Sequence, residues 1–133
     1  MSLARQFAER VTALRYADLP PEAVYWSKVA VLDTVGAALA GAVEAAPKIL
    51  GEILELQAGA GPCLVLGTNL RASALDAALV NGTAAHALDF DNTSNTMAGH
   101  MSASMIPALL AAGDAFGASG SEVLLAHTAG FEV

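Results

Sequence analysis

Apolar residues recur along most of this chain at helical spacing. Leu3, Phe7, Val11 and Leu14 share one face of a first helix, which Ser2 can cap and which should end near residue 16. Asp18-Leu19-Pro20-Pro21 breaks the pattern and puts proline at the start of a second helix, over 22–40, with Gly41 as its stop. Residues 29–40 are apolar nearly all round, which predicts a helix buried on most sides. Asp33 lies within it and should be bonded to a neighbouring helix end or hydroxyl. A third helix over 47–57 should pack Ile49, Ile53, Leu54 and Leu56 and turn Lys48, Glu52 and Glu55 to solvent; 58–62 then breaks it. Cys63-Leu64-Val65-Leu66 reads as a short extended segment followed by a turn at Gly67-Thr68-Asn69. Ser73 and Asp76 form a capping box that opens a fourth helix running to about residue 88. Gly82 in its middle costs about 1 kcal/mol relative to alanine, so a neighbouring backbone is expected to come close there. A fifth helix over 102–116 carries Pro107 near its start, and a sixth begins at Ser121 with Glu122 beside its positive end. The pattern predicts an all-α fold of about six packed helices with at most one short extended segment.

Composition sharpens this picture. The chain has 133 residues, enough for one domain with a core, and is 55% hydrophobic but only 14% charged. Aromatic residues make up 5%, so the packing surfaces are small and aliphatic, as closely approaching helices require. So little charge leaves more apolar surface than the chain can bury alone, so it should meet a partner or be part of something larger; the segment 29–40, apolar on nearly every side, predicts a homo-oligomer, a dimer. A formal net charge of −7 argues against nucleic-acid binding, which needs clustered lysine and arginine. The single cysteine, Cys63, forms no internal disulfide and is expected as a small buried residue. No basic stretch leads into an apolar run, and the segment 29–43, interrupted by Asp33, is short for a bilayer span; a cytoplasmic protein with no membrane partner is expected.

Chemistry-bearing residues concentrate in one stretch, 81–101, which holds two histidines, two aspartates, three asparagines and three threonines between apolar helices. His86 and Asp89 are three apart and would share a face if the helix continued through both. Asp89-Phe90-Asp91-Asn92-Thr93-Ser94 begins like a calcium loop but has serine at the sixth position and His100 at the twelfth, which excludes that reading. His86, Asp89, Asp91 and His100 offer ligands to a divalent ion, at a spacing that is not diagnostic. Ser102 and Ser104 lie near His100, but no nucleophile elbow supports a catalytic triad. Asp89 and His100 make better sense as acid–base machinery: histidine titrates near neutrality, and a nearby carboxylate fixes its tautomer or carries a proton. Thr93 adds a hydroxyl for a substrate oxygen, and Gly99 lets the backbone approach a ligand. His86 and His127 fall on helix bodies, where a structural role is expected.

These residues carry a family resemblance. N-G-T-A-A-H-A-L-D-F-D-N-T, followed by G-H-M-S-A-S-M-I-P-A-L-L-A-A-G-D, resembles the MmgE/PrpD family, which includes 2-methylcitrate dehydratase, cis-aconitate decarboxylase and iminodisuccinate epimerase. L-D-T-V-G-A-A-L-A-G, V-L-G-T-N-L-R-A-S-A-L-D-A-A-L and the final H-T-A-G-F-E-V extend the likeness through most of the chain. The resemblance implies that residues 1–133 are the N-terminal part of a large helical domain, with a smaller α/β domain outside this sequence. It implies a lyase or isomerase that moves a proton next to a carboxylate of a small polycarboxylate substrate, with no cofactor and no metal. By position, His100, Asp89 and Thr93 match catalytic residues, His100 as the proton carrier. Two positions depart from the family pattern: His100-Met101 stands where His-Pro is usual, and Asp91-Asn92 where Asp-Asp is usual. Family chains are several times longer, so these residues alone are expected to be inactive. The competing reading is a non-catalytic helical module that associates with itself or a partner.

Overall fold

The computed structural model describes residues 2–57 and 61–132. Among these, six α-helices follow one another: α1 (Leu3–Ala13), α2 (Pro21–Gly41), α3 (Ala45–Gln57), α4 (Ala74–His86), α5 (Met101–Phe116) and α6 (Gly120–Glu132). The all-α expectation holds. The extended segment also forms, as strand β1 (Cys63–Leu64), but it pairs antiparallel with a second, β2 (Arg71–Ala72), through Cys63–Ala72 and Leu64–Arg71. Two residues per strand are too few for an alternating pattern to show in sequence. The expected break at 58–62 falls partly outside the described residues.

Local chemistry sets the helix ends. Ser2 caps α1 through the amide of Arg5. The first helix stops at Ala13, short of the expected residue 16, and Tyr16–Asp18 form a separate 3-10 turn. Ser73 accepts from the Asp76 amide at 3.2 Å while donating to its carboxylate at 2.7 Å, so the capping box is made. Glu122 and Ser119 reciprocate in the same way at the start of α6.

Helices α2, α4 and α5 form the centre, and the small residues there let backbones nearly touch. Ala38, Ala84, Ala85 and Ala103 make one buried cluster; Cys63, Val65, Ala72, Ala77, Val80 and Ala111 make the other. Gly82 is where the sequence placed a close approach: a β-carbon there would lie 3.1 Å from the carbonyl oxygen of Ala103. Gly41 is more demanding, because a β-carbon would meet the Ala84 carbonyl oxygen at 2.0 Å. Its role is therefore contact between α2 and α4, and the helix ends one residue later than expected, at Gly41 itself. Cys63 is buried and its thiol points to the Ala111 carbonyl at 3.1 Å.

Two packing expectations are corrected. Helix α2 is not buried on most sides: Tyr25, Trp26, Val29, Leu32 and Leu39 are exposed, with Leu32 75% accessible. A helix apolar all round needs cover all round, and within this chain only one face receives it. At 21 residues α2 also has the length of a bilayer span. In the fold it is the strut against which α4, α5 and α6 pack. On α3, Leu50 and Leu54 face the core, whereas Ile49 and Ile53 stand exposed. The spacing admits both choices, and packing of α3 against α4 selects the first.

Candidate functional site

Helix α4 ends at His86, and the chain then turns tightly, with the Asp89 amide donating to the His86 carbonyl at 3.1 Å. Asp89 takes a left-handed conformation, φ 54°, which aspartate tolerates better than most residues. The helix therefore does not carry His86 and Asp89 on one face. After Asp91 the loop is fixed from two sides. The Asn92 amide donates to Asp33 Oδ2 of α2 at 3.2 Å. Further on, Ser94 and Gly99 pair across the loop through amide–carbonyl bonds of 2.9 and 3.3 Å. Ala98, not Gly99, adopts the left-handed conformation that closes this turn, so the glycine is not required there by its dihedral angle. The returning chain delivers His100 to the start of α5, beside the residues that left α4.

The result is a compact cluster around Asp91, whose side chain is completely buried. His86 Nδ1 lies 3.0 Å from Asp91 Oδ1. His100 Nδ1 lies 3.1 Å from the Asp91 backbone carbonyl oxygen and 3.2 Å from Asp91 Oδ2. Its other nitrogen, Nε2, is 3.7 Å from Asp89 Oδ1, and the Asp89 side chain is 80% exposed. The two imidazole rings stand 4.7 Å apart, tilted by 59°. Asp91 Oδ2 is buried and has no hydrogen-bond partner among the described residues, whereas the geometry of His100 Nδ1 suits a bond to the Asp91 carbonyl.

Both rings border an open depression of about 780 Å3, lined also by Gly82, Thr83, Ala103 and Ser104. The six lysines and arginines of the chain all lie elsewhere. Ser104 donates its hydroxyl back to the Met101 carbonyl at 3.0 Å, as helix serines do, and is not held by either imidazole. His86, Asp89, Asp91 and His100 each offer a ligand atom within 4.8 Å of one another, close enough to suit a divalent ion.

The sequence-predicted residues are thus partly united. Asp89 and His100 face one another, while Thr93 is exposed in the same loop, outside the four-residue cluster. Sequence reasoning left out Asp91 as an organising group and gave His86 a structural place. The signal was available in the D-F-D pattern, but only the turn after His86 reveals which aspartate points inward. His127, by contrast, sits as expected for a structural histidine: it is buried on α6 with Nδ1 3.0 Å from Ser27 Oγ, and burial lowers its pKa from the usual value.

Residues 5–133 match the MmgE/PrpD N-terminal domain. The chain belongs to the MmgE/PrpD family. It is 31% identical to human cis-aconitate decarboxylase over 137 residues, an overlap that takes in 99% of this chain and 28% of the human protein. It is also 27% identical over 129 residues to a cis-aconitate decarboxylase-like protein of Aspergillus oryzae, covering 92% of this chain and 27% of that one. The chain thus spans less than a third of the length of these curated relatives. The matched region includes the whole cluster around Asp91.

Proposed function

We propose that this MmgE/PrpD sequence supplies one wall of the active site of a lyase acting on a small polycarboxylate, of the cis-aconitate decarboxylase type, with His100 as proton carrier. The observation that carries the reading is the orientation of His100. Its Nδ1 is committed to the Asp91 carbonyl, which leaves Nε2 beside Asp89 at the edge of the depression. In a decarboxylation the C–C bond to the departing carboxylate breaks, CO2 leaves, and the electron pair left on carbon takes up a proton. An imidazolium Nε2–H is suited to deliver it, and Asp89 is placed to orient the ring or relay a proton. Thr93 is proposed to bind a substrate oxygen. A dehydration or an epimerisation would use the same ring to move a proton next to a carboxylate.

A polycarboxylate also needs cationic partners, and no lysine or arginine of this chain borders the depression. We therefore propose that the missing positive groups come from outside these residues and that the chain alone does not turn over substrate. The test uses an enzyme of full family length carrying this sequence, assayed for CO2 release from cis-aconitate and for loss of water from 2-methylcitrate. His100→Ala should lower turnover by about 10²- to 10⁴-fold. A near-normal rate in that variant overturns the assignment.

One observation favours the second reading, a non-catalytic helical module that associates with itself. Leu32, Leu39 and Val43 of the α2 region, with Leu75 and Leu79 of α4, are exposed apolar residues. Under that reading the longer protein has no activity with or without His100, and the purified chain is a stable oligomer by light scattering.

A further inference from the structure

The geometry around Asp91 goes further than the placement of one proton carrier. A backbone carbonyl can only accept a hydrogen bond, so the His100 nitrogen that meets the Asp91 carbonyl at 3.1 Å must carry the proton. An ionised carboxylate likewise only accepts, so His86 Nδ1, at 3.0 Å from Asp91 Oδ1, is also a donor. In both rings the nitrogen turned inward is Nδ1, held by a residue whose side chain is completely buried. Both rings line the same depression, and the His86 side chain is about half exposed. The other edge of each ring carries Nε2, which in the neutral imidazole is then a bare lone pair; that of His100 lies 3.7 Å from Asp89 Oδ1.

We propose that Asp91 is a positioning residue that holds His86 and His100 as paired Nδ1–H tautomers, so that two basic Nε2 atoms border the depression and His86 is a second proton acceptor beside His100. The inference rests on the proposed function for its catalytic meaning, but its structural content stands apart from it. The two anchors differ. His100 is held by main chain and would keep its tautomer if the Asp91 side chain were removed; His86 is held by the carboxylate alone. Asp91 Oδ2, without a hydrogen-bond partner among the described residues and 3.2 Å from His100 Nδ1, puts negative charge beside the place where an imidazolium would form.

The test is imidazole nitrogen NMR on the 15N-labelled chain, at a pH where the rings are neutral. Both His86 and His100 should show a protonated Nδ1 and an unprotonated Nε2. In Asp91→Ala, His86 should lose its single tautomer while His100 keeps its own; Asp91→Leu, closer in size but likewise without an accepting side-chain oxygen, provides the same comparison should the alanine variant not fold. An unprotonated Nδ1 on either ring of the natural sequence, as a metal ligated through Nδ1 would give, overturns the proposal. So does a His86 tautomer unchanged in Asp91→Ala. In the full-length enzyme, His86→Gln should lower kcat about tenfold or more with little change in KM, and an unchanged kcat overturns the assignment of His86 as proton acceptor. A fully active His100→Ala enzyme would instead overturn the proposed function while leaving the tautomers as measured.

Discussion

Asp33, midway along α2, accepts a hydrogen bond at 3.2 Å from the amide of Asn92, 59 positions later in the chain. This bond ties the longest helix to the loop that carries the candidate site, immediately after the buried Asp91. Asp33→Ala should therefore cost about 0.5–1.5 kcal/mol and speed hydrogen exchange at the Asn92 amide, while Asp33→Asn, which keeps an accepting oxygen, should lose less. Exchange at Asn92 that is the same in Asp33→Ala and in the natural sequence would refute the tie.

The sequence anticipated Asp33 as a bonded carboxylate but looked for its partner on a helix end or hydroxyl. Periodicity reports which residues repeat on a face, and it served for the helices, while the S-x-x-D motif gave the Ser73–Asp76 cap and a mid-helix glycine the close approach at Gly82. It does not report where a chain returns. The pairing of Ser94 with Gly99, which brings His100 back to Asp91, is a loop event with no repeating pattern. The D-F-D segment illustrates the same limit. Both aspartates were visible as candidate chemistry, yet only the left-handed turn at Asp89 decides that Asp91 is buried and Asp89 exposed. The apolar character of α2 was equally visible, but whether Leu32 is covered depends on what lies against that face.

Asn81 is the polar anchor of the small hairpin. From within α4 its side chain accepts from the Leu66 amide at 2.8 Å and donates to the Leu64 carbonyl at 2.9 Å. Asn81→Ala would leave both main-chain groups without that partner, and the loss should be about 2–4 kcal/mol. Asn81→Asp keeps the acceptor but not the donor and should fall between the two. Urea unfolding of the three proteins checks the order; equal midpoints for Asn81→Ala and the natural sequence would show that the hairpin does not depend on this amide.

Gly41 and Gly36 lie on the same helix and should respond in opposite directions to the same substitution. A β-carbon at Gly41 would overlap the Ala84 carbonyl oxygen, main chain that no side-chain rotation can move away. Gly41→Ala should force α2 and α4 apart and destabilise by about 1–3 kcal/mol or more. At Gly36 nothing lies within 4 Å of the added carbon, so Gly36→Ala should gain up to about 1 kcal/mol from helix propensity. Thermal melts of the two variants distinguish packing from propensity, and a stabilised Gly41→Ala would mean that the two helices do not meet there.

His127 gives the fold a pH dependence of defined sign. It is buried on α6, its Nδ1 faces Ser27 Oγ, and its Nε2 has no hydrogen-bond partner among the described residues. Burial penalises the charged ring and lowers its pKa below the ordinary value of 6.5. In the unfolded chain the same ring titrates near that ordinary value. Between the lowered and the ordinary pKa the unfolded state binds more protons, so stability rises with pH across this window. His127 thus contributes stability that is fully present above about pH 6.5 and is lost as pH falls through the folded-state value. One proton sets a limit of about 1.4 kcal/mol per pH unit on the slope. In His127→Gln, which cannot titrate, the difference in unfolding free energy from the natural sequence should shrink steadily as the pH drops below about 6.5. Urea unfolding at several pH values measures that difference directly, and a difference that stays constant across the window would show that the ring is not held neutral by burial.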